Sequence, residues 1–238
     1  AEREASKVLD MPAGTKAREV KQAAVIGGGT MGGGIAMCFA NAGIPVTLIE
    51  TTEEFLNNGL AKIRANYENT AKRGALSAAD VEKRLNLIKG AVGLEATKDV
   101  DIVIEAVFEE MGLKKEIFGK LDRIVRPGTV LATNTSTLDV NEIANATNRP
   151  QDVVGMHFFS PANVMKLLEI VRGEKTAFDV LQTAIAVARK IAKVPAVVGV
   201  CYGFVGNRML HKRGAQADQL ILEGALPQEV DAVTTEFG

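Results

Sequence analysis

His157 and Glu169 stand twelve residues apart in the stretch MHFFSPANVMKLLEI, an imidazole and a carboxylate inside a run that otherwise reads apolar. Oxidation of an alcohol by hydride transfer needs a base for the hydroxyl proton, and an imidazole, which titrates near neutrality, can serve. His157 lies at the end of a predicted strand, VVGMHFF at 153–159, and in open α/β sheets ligands gather at the carboxyl ends of strands. Glu169 falls in KLLEIV, where an unpaired buried carboxylate is costly, so it requires a partner. If the chain turns at SPAN and runs back, Glu169 returns to His157, fixes its tautomer and stabilises the imidazolium. A core histidine bonded to a backbone carbonyl, with a glutamate at a strand end in water, fits these residues as well. Ser136 in ATNTSTL and Asn207 in GFVGNRML are candidates to hold the substrate oxygen, although both residue types also cap helices. His211, four residues after Asn207 on the same helical face, is the rival base and reads better as a partly exposed helical histidine.

A second constellation points to a dinucleotide. In AAVIGGGTMGGGIAMCFANAGIPVTLIE, Gly27, Gly29 and Gly32 have GxGxxG spacing, with Thr30 and Met31 between the last two, directly after a strand and before an amphipathic helix. The first glycine permits the tight turn, the second lets a pyrophosphate approach the backbone, and the third lets helix and strand pack closely. Glu50 closes the second strand, where a carboxylate accepts from a ribose diol and repels a 2′-phosphate. No arginine follows in ETTEEF, so NAD is expected rather than NADP. A flavin is the minor alternative, and a glycine-rich turn with a solvated glutamate is the bland one.

The elements that must position these groups follow from alternation. Runs rich in Val and Ile, at 22–27, 45–50, 101–107, 129–136 and 153–159, are separated by helical patterns, which implies a parallel sheet covered on both faces. The expected fold is α/β, a Rossmann-type doubly wound, mostly parallel sheet, and LLEIV and AVVGV extend it to about residue 200. Residues 51–90 read as a helical-pair insertion carrying Lys62, Arg64, Lys72, Arg73, Lys83 and Arg84, its second helix opened by Ser77 and Asp80 in the manner of a capping box. Three parts are expected: a helix and linker from a preceding region at 1–21, a nucleotide-binding domain at 22–202, and the start of an all-helical C-terminal domain at 203–238.

Composition narrows the classes further. With 238 residues and 47% hydrophobic content a full core can form. A formal charge of −1 provides no long-range field for nucleic acid or an anionic membrane, and no apolar run reaches the roughly 18–20 residues of a membrane span. Cys38 and Cys201 lie far apart in apolar runs without CxxC spacing, which fits a reducing compartment and neither a disulfide frame nor a metal site. The charged first residues lack the apolar stretch of a signal peptide, so secretion is not expected.

Taken together, VIGGGTMGGGIA, NTSTL, GMHFFSPANVMKLLEIV and GFVGNRML, in this order and spacing, closely resemble the L-3-hydroxyacyl-CoA dehydrogenases of fatty-acid β-oxidation, over about residues 22–238. Ser160 after HFF and the lead-in before residue 22 are similar to the dehydrogenase portion of multifunctional β-oxidation enzymes. The resemblance implies NAD as cofactor, His157 as catalytic base, Glu169 as its partner, and Ser136 and Asn207 at the substrate oxygen. It implies Glu50 at the adenosine ribose, Glu109 and Lys114 near the nicotinamide-side ribose, and Ala106 and Asn134 lining the cofactor site. It further implies an acyl-CoA substrate whose CoA end meets the 51–90 insertion, a covalently linked hydratase domain, a possible homo-oligomer, and a bacterial cytoplasmic or peroxisomal location. An NAD-binding fragment without turnover, and a dehydrogenase of free hydroxy acids or sugar acids, are the competing expectations.

Overall fold

A computed structural model describes residues 2–237. Eight strands form one sheet: β1 (Ala23–Ile26), β2 (Val46–Glu50), β3 (Ile88–Val92), β4 (Ile102–Glu105), β5 (Val130–Thr133), β6 (Val153–Phe158), β7 (Leu167–Arg172) and β8 (Val194–Gly199). Their spatial order is β3-β2-β1-β4-β5-β6-β7-β8. The first six follow the doubly wound order and are parallel, whereas β7 returns antiparallel to β6 and β8 runs parallel to β7. The helices are α1 (Glu2–Ala5), α2 (Thr30–Asn41), α3 (Glu53–Lys72), α4 (Ala78–Leu85), α5 (Met111–Ile124), α6 (Val140–Ala144), α7 (Phe178–Lys190), α8 (Gly206–Leu222) and α9 (Pro227–Phe237).

The central strands are apolar throughout because both faces are covered, and alternate side chains enter two different cores. Val25, Ile102, Ile104, Ala132, Met156, Leu168 and Ile170 pack with α2, α3, α4 and α7. Ala24, Ile26, Val103, Leu131, Val153 and Val171 pack on the other side with α5, α6 and Phe204. By the same alternation Glu105, Thr133, His157 and Glu169 all point to the α5 side, at or near the sheet edge formed by the carboxyl ends of β4, β5 and β6.

The insertion expected at 51–90 contains the two helices and also a strand that sequence patterning did not show. In β3, IKGAV, only Ile88 is buried, so this edge strand lacks the apolar signal of its neighbours. Within α3 the buried residues Leu56, Gly59, Ile63 and Tyr67 recur at helical spacing, and Thr52 caps its start by accepting from the Phe55 N–H. Ser77 caps α4 by accepting from the Asp80 N–H, while its hydroxyl donates to the Asp80 carboxylate at 2.6 Å. Gly59 is required where it is: a Cβ there would come within 2.9 Å of the Gly28 carbonyl oxygen, so α3 presses directly on the glycine loop. The lead-in before β1 is fastened to the sheet layer, since Arg18 pairs with Asp152 at 2.7 Å and Asp179 at 2.8 Å.

Tyr67 joins α3 to α2; its hydroxyl donates to Asn41 Oδ1 at 2.9 Å and its ring is 1% exposed. Tyr67→Phe should cost about 1 kcal/mol, and Tyr67→Ala about 3–5 kcal/mol, as read by urea denaturation. Equal costs for the two would show that ring packing does not anchor α3.

Candidate active site

His157 and Glu169 are direct cross-strand neighbours in the antiparallel β6–β7 pair. Such neighbours share a face of the sheet, and here Nδ1 of His157 lies 2.8 Å from Oε2 of Glu169. The reversal that makes this possible is held from outside: Lys193, at the entry to β8, donates its ammonium to the carbonyls of Ala162 at 2.5 Å and Met165 at 2.7 Å. Both members of the pair are buried, with side-chain exposures of 7% and 1%. The other oxygen of Glu169 accepts from the backbone N–H groups of Val205 at 3.0 Å and Gly206 at 2.8 Å, the start of α8. Burial pushes the Glu169 carboxyl up, but the bonds from His157, Gly206 and Val205 outweigh it and hold its pKa below the ordinary 4.5. An ionised acceptor at Oε2 assigns the proton to Nδ1 and leaves Nε2 as the free lone pair, able to take a proton. The ring is flanked by Phe159 at 4.6 Å and Phe204 at 5.7 Å between centroids.

Glu109 gathers the loop after β5. A single oxygen, Oε1, accepts from the Thr135 hydroxyl at 2.7 Å, the Ser136 N–H at 2.7 Å and hydroxyl at 3.0 Å, and the Thr137 N–H at 3.1 Å. Burial raises the Glu109 pKa and these donors, with Lys114, more than reverse it. Ser136 is therefore oriented, and its oxygen keeps lone pairs for a substrate hydroxyl. Asn134 closes the same loop against β6 by accepting from the Phe158 N–H at 2.8 Å, which leaves its amide N–H groups to donate. Asn207 is the second residue of α8 and not its cap, and its amide makes no hydrogen bond among the described residues. The capping alternative for Asn207 thus fails, and Glu169 holds the helix start that Asn207 directly follows. His211 is exposed further along α8 beside Tyr202, away from the pair.

Lys114, expected near a ribose, is 1% exposed and points inward to Glu105, 2.6 Å away, and to Glu109 at 3.5 Å. Sequence reading missed Glu105, although a carboxylate inside DIVIEAV carries the same signal that singled out Glu169.

The glycine loop fits a dinucleotide. Gly27 has φ +100° and a Cβ there would strike the Ala106 carbonyl at 2.7 Å, while a Cβ on Gly32 would lie 1.8 Å from the Gly27 carbonyl oxygen. Gly29 meets nothing within 4 Å, and as N-cap of α2 it offers no side-chain acceptor to the first N–H groups, whose turn has no acidic residue. Those donors, with Thr30 and Met31 on the first turn, are available to a phosphate. Glu50 turns onto the loop, accepting from the Gly28 N–H at 2.6 Å and the Thr51 N–H at 3.1 Å. Beside the loop a cleft of about 350 Å³ is lined by Gly29, Thr30, Lys62, Asn66, Pro161 and Asn163. Of the six basic residues noted in the insertion, Lys62 alone lines it; Arg64 is paired with Glu68 and Glu82, and Arg84 lies over the Tyr67 ring.

Residues 22–201 match the family model for the 3-hydroxyacyl-CoA dehydrogenase, NAD binding domain. The chain is 49% identical over 224 residues to a peroxisomal bifunctional enzyme of Danio rerio, covering 94% of this chain and 30% of that relative. It thus spans about a third of the length of such relatives. Among solved structures it is similar to a (S)-3-hydroxybutyryl-CoA dehydrogenase from Ralstonia eutropha, with TM-score 0.87, 33% identity, and coverage of 89% of this chain and 75% of that one. It is also similar to the dehydrogenase part of a multifunctional enzyme from C. elegans, with TM-score 0.76, 33% identity, and coverage of 100% and 57%.

Because the folded pKa of Glu169 is depressed, its stabilisation is present in full above 4.5 and is lost as pH falls through the lower folded value. Glu169→Gln should therefore cost about 1–3 kcal/mol at pH 7, and the gap between variant and parent should close in acid below 4.5. Denaturant titrations at a series of pH values would measure this, and a gap that widened in acid would contradict it.

Proposed function

Since the chain belongs to the 3-hydroxyacyl-CoA dehydrogenase family, through its NAD-binding domain, we propose that it oxidises the 3-hydroxyl of an L-3-hydroxyacyl-CoA to the ketone. The observation that carries this is the 2.8 Å His157–Glu169 pair at the carboxyl end of a sheet whose first turn is a glycine phosphate loop. NAD+, when bound, supplies the acceptor for the hydride that leaves C3. His157 takes the hydroxyl proton at Nε2 as the C–O bond becomes a carbonyl. Glu169 keeps Nδ1–H directed and stabilises the imidazolium that results. Ser136, oriented by Glu109, and Asn207, with its free amide, hold the oxygen in line with the base. Glu50 faces the adenosine ribose, and Gly27, Gly29, Thr30, Met31 and Gly32 form the phosphate cradle, with Ala106 behind it.

The cleft beside the glycine loop is where the CoA end of the substrate fits, with Lys62 as its cation. A peroxisomal location and a covalently linked hydratase are supported by the naming and greater length of the relatives. The helices α8 and α9 bury no residue against the sheet and expose Met209, Leu210, Leu222 and Val233, which fits a role in a helical second domain or a subunit contact.

The test uses the full-length enzyme, NADH and acetoacetyl-CoA, followed spectrophotometrically. His157→Ala should lower turnover by about 10² to 10⁴ with NADH affinity unchanged. Unaltered turnover would reject His157 as the base, and activity with a free hydroxy acid but not the thioester would reject the substrate class.

A further inference from the structure

Glu105 and Lys114 form an ion pair with side chains 0% and 1% exposed, and proton transfer does not require it. Burying such a pair gains little over well-packed apolar residues, so fold stability alone does not account for it. All the contacts of Glu105 are donors: Lys114 Nζ at 2.6 Å, the Val107 N–H at 2.8 Å and the Thr133 hydroxyl at 2.7 Å. They suit a carboxylate and not a carboxylic acid. The same ammonium is shared with Glu109 at 3.5 Å, so two carboxylates face one cation and the cluster keeps one negative charge.

Sheet register says where that charge lies. Glu105 pairs with Thr133, Thr133 pairs with Gly155, and His157 is one pleat beyond Gly155 on the same face. Two strand spacings and two residues of rise put the Cα atoms of Glu105 and His157 about 12 Å apart. With the substrate held by His157 and Ser136 as proposed above, a nicotinamide ring that exchanges a hydride with it would lie near this corner of the sheet.

We propose that the uncompensated negative charge of the Glu105–Lys114–Glu109 cluster selects the cationic ring of NAD+ over the neutral ring of NADH. This rests on the cofactor placement given under Proposed function. Glu105 touches neither substrate nor ring and acts through its charge, while Lys114 keeps the two carboxylates from repelling each other. Binding is thereby biased toward the oxidised nucleotide that the oxidation consumes, and the reduced product is released more readily.

The experiment is the ratio of the NAD+ and NADH dissociation constants, by calorimetry and NADH fluorescence, for the chain and for Glu105→Gln. Neutralising Glu105 should move the ratio toward NADH by about two- to fifteenfold, the span for one unit charge about 10 Å away between the dielectric of water and that of a protein surface. Loosening of the fold would weaken both nucleotides alike and leave the ratio in place. Glu109→Gln, at a side chain 36% exposed, should move the ratio the same way, because any lost ribose contact or loosening of the 135–137 loop is common to both nucleotides. An unchanged ratio in Glu109→Gln, or in a folded Glu105→Gln, would overturn the assignment. Failure of the parent chain to bind either nucleotide would instead overturn the cofactor placement beneath it.

Discussion

A buried carboxylate must be satisfied on both oxygens, and the way Glu169 meets that demand organises this end of the sheet. One oxygen takes the imidazole of His157, and the other takes the two N–H groups that open α8. The same side chain therefore sets the tautomer of His157 and the entry of α8, whose second residue is Asn207. The close fit around it leaves little room for change: a Cβ on Gly206 would come within 2.7 Å of the Phe159 ring. Orientation of the histidine and placement of α8 are thus one structural fact, which ties the sheet to the helical region that follows it.

The cofactor end obeys a complementary logic. There the chain leaves donors open instead of satisfying them: α2 begins at a glycine with no side-chain cap, and the nearby acid, Glu50, is committed to the loop from the side. The helix start supplies partial positive charge, and Glu50 sets a negative charge beside it. The glycines at 27, 32 and 59 are steric requirements of three backbones meeting, and Gly29 is the one that leaves space open.

Much of this was legible in the sequence because it is carried by local pattern. Strand, glycine turn and helix occur consecutively, and the His157–Glu169 pairing follows from one hairpin, so thirteen residues of sequence contain it. What escaped depends on contacts between distant segments. The strand at 88–92 carries little apolar signal because it is an edge, and only its pairing with β2 makes it a strand. Lys114 has a helical surface pattern around it, yet α5 lies on the sheet so that its ammonium reaches Glu105, nine residues back in sequence. The resemblance to known dehydrogenases put Lys114 near a ribose, and in the structure its ammonium is held by Glu105 and Glu109. Glu109 itself, in a charged loop, gave no hint that it would collect five donors from residues 135–137.

The most direct measurement of the central claim is nitrogen-15 NMR of the histidine rings, which is tractable because the chain has two histidines, His157 and His211. The account predicts that at neutral pH His157 holds its proton on Nδ1 with Nε2 bare, and that Glu169→Gln disturbs this pattern while His211 is unaffected. A proton fixed on Nε2, or a tautomer mixture at His157 like that of the exposed His211, would contradict it.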